Sequence, residues 1–252
     1  MAFDAQTTLD TVLPLAEAAY AVMNGGVPKL PPGFEQTALI EADPAELSSP
    51  PTAQPAAAMM KDTNIFGLVG RNTATRTAFA AFRGSSDAAD WIADFDFIPT
   101  DYTPVAGFGQ VHRGFQDVYR CARESLATGL LDAVQDCDHI LVTGHSLGAA
   151  LAVLAAPDIA RAMPPNTIEP RLVTFAGPKA GLTDFAAAFG AAIECCYRVV
   201  NFLDIVPLLP PDPYVHVGVG ISVDSGGKID FGWRHGLAAY RIGLTKLIAE
   251  QA

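Results

Sequence analysis

Apolar positions along the chain alternate between helical spacing and short continuous runs. Near the start, LDTVLPLAEAAYAVM carries apolar residues at helical spacing and ends at Asn24-Gly25-Gly26, which predicts a helix stopped by glycine. From Val27 to about Ala58 the chain is rich in proline and alanine, as in KLPPGFE and SSPPTAQPAAA, and predicts an irregular wrap or surface loop. The runs IFGLVG (65–70) and TAFAAF (77–82), separated by the polar RNTATR, predict a hairpin entering a sheet. Beyond them FQDVYRCARESLATGLLDAV reads as a helix, HILVT as a strand and Leu147 to about Ala162 as a helix. RLVTFAG, DFAAAFGAAI and YRVVNF then read as strand, helix and strand, and GLAAYRIGLTKLIAE as a closing amphipathic helix. Strands alternating with helices imply right-handed crossovers and an α/β fold, its mainly parallel sheet covered by helices on both faces. With 252 residues, half of them hydrophobic, the chain can bury one large core, and a single domain over 1–252 is expected.

Charge narrows the partners. A net charge of −11, from 16 Lys and Arg against 27 Asp and Glu, does not supply the basic face that nucleic acid needs, and it disfavours anionic membranes. Cys121, Cys137, Cys195 and Cys196 form no CxxC pair and no zinc spacing with histidine, so free, buried thiols are expected, with a Cys121 to Cys137 bridge as the competing arrangement. No D-x-D-x-D-G calcium loop occurs, and neither metal nor organic cofactor is expected. MAFDAQTTLD has no basic segment leading into an apolar one, and no apolar run reaches membrane-spanning length. A cytoplasmic protein is the expectation, or a secreted one if a leader has been removed; integral membrane association is not expected.

The chemistry centres on GHSLG, residues 144–148, between HILVT and AALAVLAA. In G-x-S-x-G after a strand and before a helix, the glycines permit a tight turn that raises the serine above the sheet, which makes Ser146 a candidate nucleophile rather than a simple helix cap. A serine hydroxyl needs a histidine base, and that histidine needs a carboxylate to fix its tautomer. The chain order for such a turn is serine, acid, histidine. Asp204 in YRVVNFLDIVP directly follows a strong strand, unlike Asp184, Asp212, Asp224 and Asp230, and is the candidate acid. Of the downstream histidines, His216 sits in the valine-rich PYVHVG, whereas His235 lies between a glycine-rich loop and the last helix and is the candidate base. His112, His139 and His145 precede or adjoin the serine and are given structural roles. The residue after the nucleophile, Leu147, supplies one backbone N–H to an oxyanion hole.

FRGSSDAADWIADFDF, VHRGF, VTGHSLGAALA, FAGPKAG, NFLDIVP and RHGLAAY, in this order, resemble the fungal-type, or class 3, lipase family from about Ile65 to the last helix. The resemblance implies an α/β-hydrolase fold with a short helical lid, and a triad of Ser146, Asp204 and His235. It implies that Ser85 in FRGS is the second oxyanion donor, the competing reading being a plain strand end with Arg83 in a surface ion pair. It further implies a lid at 86–97 that presents Trp91, Ile92 and Phe95 to lipid, against an ordinary surface helix with Trp91 in the core. An aromatic near the histidine stands at Tyr240, further along than the family's spacing. The expected function is hydrolysis of acylglycerol esters at an oil–water interface through an acyl-enzyme. The alternatives are an esterase on soluble short-chain or feruloyl esters and a non-catalytic lipase-like interaction protein.

Overall fold

The structure, a computed structural model, describes residues 2–23, 25–47, 60, 63–85, 96–163 and 168–251. The N-terminal helix forms where its spacing predicts. After a turn at Ala5–Thr7, capped by the Asp4 carboxylate, and a π-helical stretch at Thr8–Val12, helix α1 runs Leu13–Met23. The proline- and alanine-rich stretch is not irregular throughout, because it contains strand β1 at Glu35–Glu41, antiparallel to β2 at Ile65–Asn72. Two features hide this strand. It is an edge strand, and of its residues only Ile40 is fully buried, so apolar and polar positions do not alternate along it.

Strand β2 turns back into β3 at Thr77–Phe82, the expected hairpin. A small hairpin, β4 at Pro99–Asp101 and β5 at Gln110–His112, lies apart from the main sheet. Helix α2 (Arg113–Ala133), β6 (His139–His145), α3 (Leu147–Ala162), β7 (Glu169–Phe175), α4 (Thr183–Ala192) and β8 (Cys195–Asn201) follow in the predicted alternation. Strand β9 (Val219–Val223), short helix α5 (Phe231–His235) and α6 (Leu237–Gln251) complete the order. Among the described residues the main sheet has seven strands in the order β1-β2-β3-β6-β7-β8-β9, parallel from β3 onward.

Alternation across the pleat divides the core between the two faces. In β3, Ala78, Ala80 and Phe82 pack with Val118, Leu126, Leu151 and Leu154 of α2 and α3. Phe79 and Ala81 pack on the opposite face with Leu15, Ala18 and Val22 of α1. Helix α6 covers the far end of that second face, where Tyr240 and Leu244 meet Phe175, Val199 and Val223. This is the expected α/β layering. The four cysteines are buried and free, so Cys121 and Cys137 are not bridged. No helix among the described residues is long and apolar enough to cross a membrane.

Helix α2 is capped by His112, whose Nδ1 accepts from the Phe115 amide at 3.4 Å. Burial, with Arg113 adding to it, pushes this imidazole down to about 4 from an ordinary 6.5. Below the unfolded value the folded chain binds fewer protons than the unfolded one, so this contribution is complete above about pH 6.5 and is lost as pH falls towards 4. Replacing His112 with Asn keeps a capping acceptor and removes the titration. The melting temperature of His112→Asn is therefore expected to fall less steeply than wild type between about pH 6.5 and 4.5, and parallel slopes would refute this.

Candidate active site

Strand β6 ends at His145 and α3 begins at Leu147, so Ser146 alone makes the turn between them. Its backbone sits at φ 59° and ψ −126°, a conformation that costs a non-glycine residue on the order of 1–3 kcal/mol. The Ser146 amide donates to the Phe175 carbonyl at the end of β7, at 3.0 Å. The flanking glycines are there because backbone fills the space a side chain would take. A Cβ on Gly144 would collide with the Gly148 carbonyl, and one on Gly148 with the Phe82 carbonyl at the end of β3.

Asp204 lies just beyond β8, buried, and its carboxylate accepts from the Val206 amide at 3.0 Å and the Tyr240 hydroxyl at 2.6 Å. His235 Nδ1 stands 3.1 Å from both carboxylate oxygens. A carboxylate can only accept, so Nδ1 carries a proton, and Nε2 is the acceptor of the neutral ring. His235 closes α5, a helix capped by Asp230, and the Phe231 ring stacks on its imidazole at 5.6 Å with planes 8° apart. The buried Arg234 ties this helix down, donating to the carbonyls of Lys228 and Phe202 and to Asp224, while Asn201 donates to the Arg234 carbonyl.

Ser146 Oγ and His235 Nε2 are both buried and neither has a hydrogen-bond partner among the described residues. A buried polar atom left unpaired costs about 1–3 kcal/mol, so native structures keep few of them. Here the two are the atoms between which a serine–histidine pair would pass a proton. Leu147 opens α3, and a helix N-terminus leaves its first amides without intrahelical partners. Ser85, half-buried, follows Gly84, and a Cβ on Gly84 would come within 3.0 Å of Ser146 Cβ, so the FRGS loop runs beside the turn. Arg83 does not lie at the surface. It is 2% exposed, donates to the carbonyls of Ile65 and Gly84, and lies over the Phe66 ring.

The other candidates stand elsewhere. His216 Nε2 donates to the Pro207 carbonyl at 2.7 Å, and burial pushes it down to about 4. His139 opens β6 at the opposite end of the strand and accepts from Arg171. Asp184 binds the Gln110 amide, Asp224 pairs with Arg234 and Asp230 caps α5. Trp91, Ile92 and Phe95, and with them the lid segment up to residue 95, lie outside the described residues. Sequence reasoning did not foresee the hydrogen bonds of Tyr240 and Arg234, nor that His145 would hold His235. His145 Nε2 lies 2.7 Å from the His235 carbonyl, and its Nδ1 lies 2.7 Å from the hydroxyl of Tyr20 on α1.

A mainly parallel sheet layered by helices, with a strained serine between strand and helix and an aspartate and histidine meeting after it in chain order, is the α/β-hydrolase arrangement. Within that class the chain belongs to the class 3 lipase family, whose model, Lipase (class 3), matches residues 79–214. It is 37% identical over 165 residues to a lipase from Rhizomucor miehei, an alignment covering 64% of this chain and 45% of that protein. It is 31% identical over 185 residues to phospholipase A1-II 7 from Oryza sativa subsp. indica, covering 60% of this chain and 45% of that one. The crystal structure of a lipase from Rhizopus microsporus var. chinensis is similar with a TM-score of 0.63 at 26% identity, over 89% of this chain and 76% of that chain. The chain thus spans less than half the length of the curated relatives it matches.

The Tyr240 hydroxyl donates to a buried carboxylate, a bond to a charged group whose loss costs about 1.5–3 kcal/mol. Tyr240→Phe is expected to lower stability in urea by about that amount with the m-value unchanged. A change under about 0.5 kcal/mol would show that Val206 and His235 satisfy Asp204 without it.

Proposed function

We infer that the chain is a serine carboxylic ester hydrolase acting on acylglycerols at an oil–water interface. The observation that carries this reading is the pair of buried, unpartnered atoms, Ser146 Oγ and His235 Nε2, set in a site where Asp204 already fixes the imidazole tautomer. Ser146 Oγ attacks the ester carbonyl as its proton passes to His235 Nε2, and Asp204 stabilises the imidazolium that forms. The Leu147 amide and Ser85 hold the oxyanion. As the tetrahedral intermediate collapses, the alcohol leaves with the proton from Nε2. Water, deprotonated by the same nitrogen, then attacks the acyl-serine and releases the acid.

A lipid surface is favoured over a dissolved ester by the loop that carries Asp204. Phe202, Leu203, Ile205 and Leu208 are 59%, 43%, 47% and 67% exposed, four large apolar side chains within seven residues of one loop. Burying such a side chain is worth about 1.5–3 kcal/mol, and a net charge of −11 disfavours an anionic surface. The relatives named as lipase and phospholipase A1 agree with an acyl ester of a glycerolipid.

Ser146→Ala and His235→Ala are expected to lower kcat by about 10⁴-fold or more, and Asp204→Asn by about 10²- to 10⁴-fold, with the fold retained by circular dichroism. His216→Ala retains most turnover. Ser85→Ala costs at most about 10²- to 10³-fold in kcat, since its backbone amide survives the change. Surviving activity in Ser146→Ala, or absence of phosphonate labelling at Ser146, would overturn the reading.

The surface argument is tested separately. Leu208→Ser is expected to reduce turnover of emulsified trioctanoin several-fold more than turnover of dissolved p-nitrophenyl butyrate. Equal losses, with no rate increase as substrate passes its solubility limit, would identify an esterase of soluble substrates.

A further inference from the structure

Tyr20 stands in the last turn of α1, 125 residues before its partner His145 and outside the segment matched by the family model. Its hydroxyl lies 2.7 Å from His145 Nδ1 and also neighbours the backbone amide of Gly84, next to Ser85, and the Arg83 guanidinium. The far nitrogen of the same imidazole, His145 Nε2, lies 2.7 Å from the backbone carbonyl of His235. Burial first and His235 second push His145 down to about 3, which favours the neutral ring near pH 7. A carbonyl only accepts, so Nε2 holds the proton. Nδ1 then accepts, and the Tyr20 hydroxyl must donate to it. Burial pushes the phenol up, so that proton stays in place. The bonds have one polarity from end to end, from Tyr20 O–H to His145 Nδ1 and from His145 Nε2–H to His235 C=O.

We propose that Tyr20 and His145 are positioning residues that set the base against the oxyanion loop. The proposal rests on the assignment of His235 and Ser85 made above. The His235 carbonyl is at the end of a five-residue helix, where carbonyls have no intrahelical donor, so the His145 N–H supplies the bond that fixes that backbone. His145 is also covalently next to Ser146, and its ring lies 4.6 Å from the His235 ring. One phenol therefore locates the residue before the nucleophile, the backbone of the base and the start of the FRGS loop. A displacement of about 1 Å among such groups is enough to cost 10²-fold in rate.

The test uses the full chain with p-nitrophenyl butyrate, below its solubility limit. Tyr20→Phe keeps the ring and removes the donor, and it is expected to lower kcat about 10- to 100-fold with KM within about twofold. His145→Gln places a carbonyl towards Tyr20 and an N–H towards His235, and is expected to stay within about fivefold of wild type. His145→Leu, which can do neither, should match Tyr20→Phe. Combining Tyr20→Phe with His145→Leu should add less than about a twofold further loss, because the two act through one chain of bonds.

Three outcomes would overturn the proposal. These are a Tyr20→Phe enzyme with normal kcat despite a lower melting temperature, losses that multiply in the double variant, and a His145→Gln variant no better than His145→Leu. If the variants do not fold, ¹⁵N spectra of the wild-type protein decide. His145 must be the neutral Nε2–H tautomer between about pH 5 and 9, and an Nδ1–H tautomer or a titration in that range refutes the proposal. Ser146→Ala and His235→Ala run alongside. Turnover in either defeats the triad assignment itself, whereas their inactivity beside an unaffected Tyr20→Phe defeats only the coupling.

Discussion

The architecture depends on one close approach, that of the first turn of α3 to the ends of β3 and β6. Phe82 pairs with Gly144 across the two strands, and the Phe82 carbonyl occupies the space where Gly148 would carry a side chain. With the helix this near the sheet, the chain can pass from strand to helix in a single residue, and that residue takes a positive φ. The strain is held by what surrounds it, the Ser146 amide bound to the end of β7 and a helix start buried on every side. The parallel register does the rest. β3, β6, β7 and β8 all finish at one edge of the sheet, so the FRGS loop, the serine and the loop with Asp204 emerge there together.

Polar groups at this edge are treated in opposite ways. The buried Asp204 carboxylate is met by donors from three separate places, the Val206 amide, the Tyr240 hydroxyl and His235 Nδ1, as a buried anion requires. Arg234, also buried, spends its donors on two carbonyls and Asp224 and so welds α5 to the loops before it. Ser146 Oγ and His235 Nε2, by contrast, are among the few buried polar atoms with no hydrogen-bond partner among the described residues. An arrangement selected for stability alone would pair them. Their isolation is what a site needs if its hydrogen bonds are to form as charge moves between nucleophile, base and ester.

What could be read in the sequence follows from the range of each interaction. GHSLG is legible because strand, turn and helix are contiguous, and chain order then separates Asp204 and His235 from their competitors. His216 is set apart from His235 in the sequence by context alone; in the structure its Nε2 is bonded to the Pro207 carbonyl. Strand β1 was illegible because its edge position leaves no alternation, and its surroundings are proline-rich. Arg83 reads as a surface cation, whereas it is buried and donates to the carbonyls of Ile65 and Gly84. Tyr20 was out of reach for a different reason. No local pattern links a helix near residue 20 to a turn 125 residues on; only the stacking of α1 over β2 and β3 brings them together.

The two neighbouring imidazoles must be kept chemically distinct for such a site to work. Their ring centroids are 4.6 Å apart. Were both charged, they would repel by about 3–4 kcal/mol at an effective dielectric of about 20, enough to slow by several hundredfold any step in which His235 takes up a proton. Burial removes the conflict by holding His145 at about 3, so that it stays neutral while its neighbour charges. Neutrality alone would leave the tautomer open. The Tyr20 proton on one side and the His235 carbonyl on the other select Nε2–H, so the ring next to His235 presents a dipole bonded to the His235 backbone. The G-x-S-x-G turn carries the serine, and the residue inside it, His145, is bonded to the backbone of His235.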